Sequence, residues 1–193
     1  MNFLNQYEIV VLEFIQEHLK CGFLDVFCPF ITKFGDAGIF WIIVAIALMC
    51  FKKTRKTGFT VGLALFMGVV VGNGILKPLV ARVRPYDFKE GFELLVPALS
   101  DYSFPSGHSL ASFEAAGVLM ICDRKRFGYA SLALAILIAL SRLYLCVHYP
   151  TDVLAGVILG LLFAYLSYKI INLIYAKIEE KKKTKVVGEN NEK

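Results

Sequence analysis

The chain has 193 residues, a length suited to one domain, and 57% of them are hydrophobic. Its mean hydropathy of +0.61 is far above that of a water-soluble protein, which indicates that apolar surface is buried in lipid. The net charge of +5 suggests nucleic acid as a partner, but the placement of the charges argues against it. The basic residues form short runs at the ends of apolar segments, as cytoplasmic membrane loops do. Those runs lie at residues 52–56, 124–126 and 181–185.

The first 35 residues are predicted to form a separate N-terminal segment. Apolar residues between positions 9 and 15 alternate with acidic residues at near-helical spacing, which predicts an amphipathic helix in the membrane interface. Three charged residues, Asp25, Lys33 and Asp36, interrupt the apolar patch that follows. We therefore do not count this patch as a membrane span.

Five segments are predicted to cross the bilayer, because each has close to the roughly 20 apolar residues that a helical span requires. They cover residues 36–51, 57–76, 106–122, 127–147 and 151–175. The sequence thus predicts an all-α fold, a polytopic membrane helix bundle with about five transmembrane helices plus the N-terminal interfacial helix. Residues 36–178 form the transmembrane domain, and residues 179–193 form a charged cytoplasmic tail that is predicted to be disordered.

The three basic runs agree on one orientation in the cell membrane, with each run on the cytoplasmic side. This orientation places the loop at residues 84–105 and the region around His148 on the extracytoplasmic side, and the C-terminus in the cytoplasm. The N-terminal helix would lie on the outer surface. No internal repeat is evident, which disfavours a transporter built from inverted repeats.

Polar residues cluster at the predicted outer ends of the spans, where ionisable groups are uncommon without a function. In the first cluster, Lys77 and Arg84 are seven residues apart, about two helical turns, so both are expected on one helix face. Two cations on one face suit a phosphate group. Arg82 points to a different side and is the weaker candidate. Snorkelling of the cations to the membrane surface is an equal alternative for this cluster alone.

The second cluster, Ser106, Gly107 and His108, opens the third predicted span. Serine suits a helix start, glycine lets a ligand approach the backbone, and the free N–H groups of a helix N-terminus bind anions. His108 lies in the first turn, where it could donate a proton to a leaving oxygen. A plain capping sequence with an incidental histidine would also explain this cluster alone.

The third cluster contains Arg142, His148 and Asp152. Arg142 is a further cation for a phosphate, and a carboxylate near an imidazole keeps one ring nitrogen protonated while the other attacks. A His–Asp pair that caps the turn is the structural alternative. Together the clusters supply three cations, two histidines, one carboxylate and a helix N-terminus, the groups that displacement at phosphorus requires.

In order and internal spacing the three clusters resemble the signature motifs of the type 2 phosphatidic acid phosphatase (PAP2) family, which also includes the vanadium haloperoxidases. The resemblance covers about residues 57–175. It implies that His148 is the nucleophile that forms a phosphohistidine, that Asp152 orients it, and that His108 protonates the leaving group. It also implies that the phosphate is held by the remaining motif residues: Lys77, Arg84, Ser106, Gly107 and Arg142. Neither a metal nor another cofactor is implied.

The sequence therefore predicts an integral membrane phosphatase whose partners are a lipid phosphate substrate and the bilayer. By resemblance to small bacterial members of the family, undecaprenyl diphosphate is the favoured substrate. Phosphatidate or phosphatidylglycerol phosphate is the alternative within the same class. A membrane protein that binds or transports phospholipid without hydrolysing it is the alternative from another class, and a soluble haloperoxidase is disfavoured by the predicted spans.

The sequence leaves open the oligomeric state and whether the N-terminal segment spans the membrane. Two further features also stay open. The apolar stretch at residues 92–96 could admit a lipid chain or simply pack on the helices. Glu114 lies inside the third predicted span, and a salt bridge to a neighbouring span is as good an interpretation as a functional role. We therefore leave Glu114 outside the predicted site.

Overall fold

The structure is a computed structural model that describes residues 2–191, and these residues form helices and no strand. Within this range the α-helices follow one another in chain order: α1 (Asn2–His18), α2 (Gly22–Thr32), α3 (Ile39–Cys50), α4 (Arg55–Met67), α5 (Lys77–Val80), α6 (Pro85–Phe88), α7 (Gly107–Cys122), α8 (Tyr129–Tyr144) and α9 (Pro150–Asn191). Other helical stretches join some of them: a 3-10 turn at Lys33–Gly38 and π-helical stretches at Gly68–Leu76 and Arg124–Gly128.

Helical stretches that are long and apolar enough to cross a membrane confirm the prediction of an all-α membrane bundle. In the described part of the chain there are four of these: Gly22–Cys50, Arg55–Phe88, Lys125–Tyr144 and Pro150–Lys182. The shorter apolar helix Gly107–Cys122 lies among them and matches the third predicted span. The protein is therefore a multi-pass membrane protein.

The first predicted span, which is short at residues 36–51, begins earlier in the structure. The apolar patch that we did not count joins α3 in one apolar stretch of 29 residues, Gly22–Cys50. The stretch is broken between α2 and α3, where Asp36 leaves helical geometry and both Ala37 and Gly38 are left-handed, with φ of 48° and 67°. Asp36 thus lies at a break between two helices, so its charge does not prevent the patch from joining the span.

The end of the chain also differs from the prediction of a disordered tail. Helix α9 continues beyond residue 179 as far as Asn191. Lysine and glutamate dominate residues 177–185, and both are good helix formers. The Thr184 hydroxyl donates a hydrogen bond to the Glu180 carbonyl at 3.1 Å, within this helical tail.

Helix α7 lies at the centre of the bundle and packs against α4, α8 and α9. The indole N–H of the buried Trp41 on α3 donates to the Ser112 hydroxyl of α7 at 3.0 Å. Gly156 and Gly160 are one turn apart on α9 and let its backbone lie directly against the Ser106 and Leu110 carbonyls of α7. This close packing brings the first turn of α9 beside the first turn of α7.

The path of the chain separates two ends of the bundle. Helices α3 and α7 both run away from the end that holds the predicted catalytic motifs, and the basic runs follow at the other end. There, Lys52, Lys53 and Arg126 line one cleft, and Lys56 lies over the Tyr175 ring of α9 at 5.2 Å. We call these the motif end and the basic end.

Helix α1 lies at the motif end and is amphipathic, as predicted. Ile9 and Leu12 are buried against Cys146 and Tyr149 in the turn between α8 and α9. The opposite face of α1 exposes apolar side chains such as Val10, and a membrane interface would accommodate them.

Candidate active site

The predicted nucleophile His148 lies in the turn between α8 and α9 and is only 1% exposed. Its Nδ1 atom is 3.4 Å from the Ser103 hydroxyl and 3.7 Å from Oδ2 of Asp152. The Ser103 hydroxyl donates to the same Asp152 oxygen at 2.5 Å, so it lies between the ring and the carboxylate. Since Nδ1 faces this cluster, Nε2 is the ring nitrogen left for a substrate.

Both oxygens of Asp152 are held in place. Helix α9 begins at Pro150, as predicted, which puts Asp152 in its first turn. The backbone N–H of Tyr149 donates to Oδ2 at 3.0 Å, and the Arg82 guanidinium donates to Oδ1 at 2.6 Å. A carboxylate with this many donors keeps one position, which is what an orienting group beside an imidazole needs.

The charge state of His148 suits a nucleophile. Burial holds the pKa of His148 well below its ordinary value of 6.5, and the nearby cations Arg142 and Arg84 act in the same direction. Asp152 opposes this shift but does not cancel it. The ring is therefore neutral near pH 7 and keeps a lone pair for attack.

His108 lies in the first turn of α7, as predicted. Ser106 caps this helix by accepting the Ser109 N–H at 3.4 Å, which confirms its predicted place at the helix start. The Nε2 atom of His108 is 2.8 Å from Oδ1 of Asp36. The ring lies where a side chain at Gly35 would otherwise be, so the turn between α2 and α3 contacts His108 through two adjacent residues.

Lys77 and Arg84 do not share a helix face, contrary to our prediction. Helix α5 ends at Val80, and Ala81 is left-handed with φ of 47°, so the chain turns before Arg84. The two cations are brought together instead by Asp101, which forms ion pairs with both. A third contact fixes Arg84, which donates to the Val147 carbonyl at 2.6 Å beside His148.

The Asp101 carboxylate is anionic at any ordinary pH. Partial burial alone would raise the pKa of Asp101, but the hydrogen bonds and charges of Lys77 and Arg84 lower it to about 2. A carboxylate presents negatively charged oxygen acceptors to these two cations, as a phosphate would. It occupies the groups that the sequence assigned to the substrate.

Arg142 lies on α8, is 2% exposed, and is within electrostatic range of both histidines. One of its terminal nitrogens donates to the Thr32 hydroxyl at 2.6 Å. Its Nε atom is buried without a hydrogen-bond partner among the described residues. An unsatisfied buried donor is costly, so this N–H is available for an anionic oxygen.

The site opens into a cavity of about 190 Å³ between the break before α3, the π-helical stretch and α7. Its polar walls are formed by motif residues together with Asn73 and Asp101: Asn73, Lys77, Arg84, Asp101, Gly107, His108 and His148. Glu114, which we left outside the site, forms part of the same cavity wall and is 1% exposed. No described cation pairs with Glu114, and its carboxyl group lies against the Gly68 backbone.

Arg82 does not contact the cavity. It donates to Asn5 at 2.7 Å and to Thr151 at 2.7 Å, pairs with Glu8, and bonds Asp152 as described above. Its guanidinium also lies 3.8 Å from the centre of the Tyr149 ring. Arg82 thus connects α1 to the carboxylate beside His148, which agrees with its lower rank as a phosphate-binding candidate.

Several residues around the site were not found from the sequence: Glu8, Asp36, Asp101 and Ser103. Asp36 was noted only as a charge that interrupts an apolar patch, and Asp101 lies in a loop without a regular pattern. Each is remote in sequence from its partner, for example 72 residues for Asp36 and His108. No local pattern predicts such contacts.

The apolar stretch at residues 92–96 packs on the protein, which was one of the two alternatives. Phe92 contacts the α1 cluster around Leu12, and residues 94–96 contact Leu145 and Val147. Residues 92–96 belong to the same loop as Asp101 and Ser103. Their apolar contacts therefore hold this loop against the protein beside the site.

The chain matches the model of the PAP2 superfamily over residues 55–175. It is 37% identical over 141 residues to a protein named undecaprenyl-diphosphatase from Sulfolobus acidocaldarius, covering 73% of this chain and 68% of that protein. The crystal structure of a PAP2-type phosphatidylglycerolphosphate phosphatase from Bacillus subtilis superposes with a TM-score of 0.73 at 27% identity, covering 90% of this chain and 89% of that one. The structure of Aquifex aeolicus LpxE gives a TM-score of 0.73 at 29% identity, covering 82% of this chain and 93% of the other.

A helical membrane bundle with paired histidines and clustered cations at one end defines a class of membrane-embedded phosphatases. The chain belongs to the PAP2 superfamily, because the family model covers more than half of its length. It is a membrane lipid phosphatase of that family and hydrolyses phosphate esters.

Proposed function

We propose that the protein removes the terminal phosphate of a polyprenyl diphosphate, with His148 as nucleophile. One observation carries the proposal: His148, which the buried Ser103 and Asp152 hold, lines one small cavity together with Lys77, Arg84 and His108. A protein that only binds phospholipid would need the cations. It would not need a neutral histidine that is oriented by a fixed carboxylate.

In the proposed first step, Nε2 of His148 attacks the terminal phosphorus and the bond from phosphorus to the leaving oxygen breaks. His108 donates a proton to that oxygen, and the lipid leaves as a monophosphate. In the second step a water molecule gives its proton to His108 and attacks the phosphohistidine. Inorganic phosphate is released, and both histidines return to their starting states.

The phosphate is proposed to be held by Lys77, Arg84 and Arg142, with Ser106 and Gly107 at the N-terminus of α7. The Nε–H of Arg142, which has no partner among the described residues, supports this role, as do the ion pairs that Lys77 and Arg84 make with the Asp101 carboxylate. Charge-assisted hydrogen bonds of this kind stabilise the negative charge of the transferring group.

We further propose that Asp36 assists His108. In the first step His108 must carry a proton, yet burial of the ring and the cations Arg142 and Lys77 oppose a positive charge there. Asp36, 2.8 Å from Nε2, is the carboxylate that acts in the other direction and favours the protonated ring. Thr32, which ends α2 just before the turn that carries Asp36, also accepts a hydrogen bond from Arg142. One segment therefore supports both the proton donor and a phosphate-binding cation.

The size of the cavity supports a lipid substrate. About 190 Å³ is less than the 300–1,000 Å³ of a site that encloses a whole small molecule, so the cavity suits a phosphate end alone. Its apolar wall includes Ile42 on α3 and Val69 in the π-helical stretch, and both side chains are exposed on the outer surface of the bundle. We infer that the lipid tail leaves the site between these two residues and stays in the bilayer.

A diphosphate is favoured over a monophosphate ester for two reasons. Three cations suit the charge of a diphosphate, and a phosphate monoester departs more easily than an alkoxide. The Sulfolobus acidocaldarius relative, named an undecaprenyl-diphosphatase, points to the same substrate class. Phosphatidate or phosphatidylglycerol phosphate remains the second candidate, because a solved relative is named a phosphatidylglycerolphosphate phosphatase.

A panel assay tests the proposal. Purified protein is given undecaprenyl diphosphate, phosphatidate and phosphatidylglycerol phosphate with excess chelator present, and phosphate release is measured. We expect the diphosphate to have the highest kcat/KM, and chelator to have no effect, since the PAP2 family is metal-independent. A preference of about tenfold for a glycerolipid phosphate, worth ~1.4 kcal/mol, would reject the polyprenyl substrate and leave the phosphatase mechanism intact.

Two variants test the roles of the histidines in the same assay. His148→Ala is expected to lose activity by about 10⁴-fold or more, and to lose the acid-labile phosphoenzyme that rapid quenching traps in the wild type. His108→Ala is expected to damage phosphatidate hydrolysis more than diphosphate hydrolysis, because the poorer leaving group depends more on the proton. Near-normal turnover by His148→Ala would contradict the proposed nucleophile.

A further inference from the structure

A second cavity among the described residues lies away from the active site. It is a cleft of about 680 Å³ between α3 and α8, and Leu119 of α7 contributes to its lining. Trp41, Val44 and Leu48 line one wall, and Leu134 is on the facing wall. The cleft contains neither histidine and none of the residues proposed to hold the phosphate.

The cleft has the shape of a site for one lipid chain. Along α3 it runs from Phe40 to the end of the helix at Cys50, about 15 Å at the usual rise per residue, and Lys52 and Lys53 lie just beyond that end. One leaflet contributes about half of the ~30 Å hydrocarbon core of a bilayer, so an acyl chain of one leaflet fits within this length. The wall hydroxyls of Thr54 and Ser131 already donate to backbone carbonyls, so they leave an apolar surface.

Positive charge is concentrated at the basic end of this cleft. Lys52, Lys53 and Arg126 line it, and all three side chains are exposed. None of them forms an ion pair within the part of the chain that the structure describes. Arg126 also lies 4.8 Å from the centre of the Phe127 ring, a contact that leaves its charge uncompensated. A hydrophobic cleft that ends at cations without an ion-pair partner among the described residues is complementary to a lipid with an anionic head group.

We propose that this cleft binds one anionic phospholipid, with an acyl chain along Trp41 and the head-group phosphate on Lys52, Lys53 and Arg126. This lipid is a bound component of the protein and not its substrate, because the cations at the basic end are separated from His148 by the length of the bundle. It belongs to the leaflet at the basic end. The proposal is independent of the substrate and of the catalytic mechanism proposed above.

Trp41 provides a direct test, because it is the one tryptophan of the sequence and it lines the cleft. The protein is placed in vesicles that contain phosphatidylglycerol or phosphatidylcholine with brominated acyl chains, and quenching of the tryptophan fluorescence is measured. We expect brominated phosphatidylglycerol to quench with an apparent affinity about fivefold or more above that of brominated phosphatidylcholine.

Charge variants identify the head-group contact. The triple substitution Lys52→Gln, Lys53→Gln and Arg126→Gln is expected to abolish the difference between the two lipids. The matched control Lys125→Gln, Lys181→Gln and Lys182→Gln removes the same charge from exposed residues outside the cleft, and is expected to retain it. Equal quenching by both lipids in the wild type would overturn the proposal, as would loss of the difference in the control.

The same measurement distinguishes other occupants. If unlabelled undecaprenyl phosphate at low mole fraction relieves the quenching, a polyprenyl chain fills the cleft and the proposal is wrong. If a second copy of the chain covers it, neither brominated lipid quenches Trp41, which also overturns the proposal. Phosphatase activity of the two triple variants, measured in parallel, reports on the active site separately from the cleft.

Discussion

Asp101 occupies two of the cations that the proposed mechanism gives to the phosphate. With its pKa at about 2, it is ionised over the whole range of assay pH, and we propose that it competes with the substrate for these cations. Asp101→Asn removes the charge and keeps the size, so we predict a KM for lipid phosphate about threefold lower, because a competing anion is lost. Inhibition by inorganic phosphate should strengthen by the same factor.

The measurement is KM and the phosphate inhibition constant at two pH values, such as 6 and 8. Since the wild-type carboxylate is ionised at both, the ratio of variant to wild type should not depend on pH. A higher KM in Asp101→Asn would mean that Asp101 positions Lys77 and Arg84 for the substrate instead of competing with it.

The proposed role of Asp36 can be tested in the pH dependence of kcat. Because its carboxylate lies 2.8 Å from Nε2 of His108, it favours the protonated ring that a proton donor needs. Asp36→Asn removes this support. The loss of activity as pH rises is therefore expected to begin at a lower pH than in the wild type. We predict that the alkaline limb of kcat moves down by about half to one pH unit, a modest shift because Asp36 is largely exposed.

The matched control is Asp25→Asn, a nearby carboxylate that accepts a hydrogen bond from the Tyr144 hydroxyl at 2.6 Å and does not contact a histidine. It is expected to leave the alkaline limb in place. Asp36→Glu should restore part of the profile. If Asp36→Asn lowers activity equally at every pH and the alkaline limb of kcat does not move, Asp36 has only a structural role in the turn.

At the scale of elements, α1 is coupled to the catalytic turn through Glu8. Its carboxylate accepts the Thr151 N–H at 2.7 Å and pairs with Arg82, which in turn holds Asp152. We predict that Glu8→Gln lowers kcat about tenfold with little change in KM, because Asp152 is held less firmly while the phosphate-binding cations are untouched.

The control on the same helix is Glu13→Gln, which removes an exposed ion pair with Lys89 and should leave kcat near the wild-type value. The assay is kcat and KM per mole of folded protein, with the fold checked by thermal unfolding. Coupling is measured with the double variant Glu8→Gln and Asp152→Asn. If the two effects on kcat simply multiply, Glu8 does not act through Asp152.

For the whole molecule, we propose that the motif end faces the outside of the cell and the basic end faces the cytoplasm. In a protein whose five free cysteines have been replaced, single cysteines are introduced at exposed positions at the two ends. Glu90→Cys and Ala98→Cys, in the loop between α6 and α7, should react with an impermeant thiol reagent added to intact cells. Lys53→Cys should not react until the cells are opened. The reverse labelling pattern would invert the orientation.

The sequence by itself determined the class of fold and the chemistry. Hydrophobic segments of spanning length require helices in lipid, because backbone groups have no water there to bond with, so the bundle follows from local composition. Asp152 is four residues from His148, and Ser106 caps the helix that carries His108, so these contacts within each motif are short-range and appear in the spacing. The family resemblance adds proposed roles to the same residues.

Only the tertiary structure decided which residues support the site. Asp36 reaches His108 across 72 residues, and Arg82 reaches Glu8 across 74. Such pairs depend on how separate helices pack and where they break, and periodicity along one helix carries no information about either. The break before α3 illustrates the reason: as sequence, Asp36 is a charge in an apolar patch, but in the folded bundle it is the carboxylate beside a catalytic candidate.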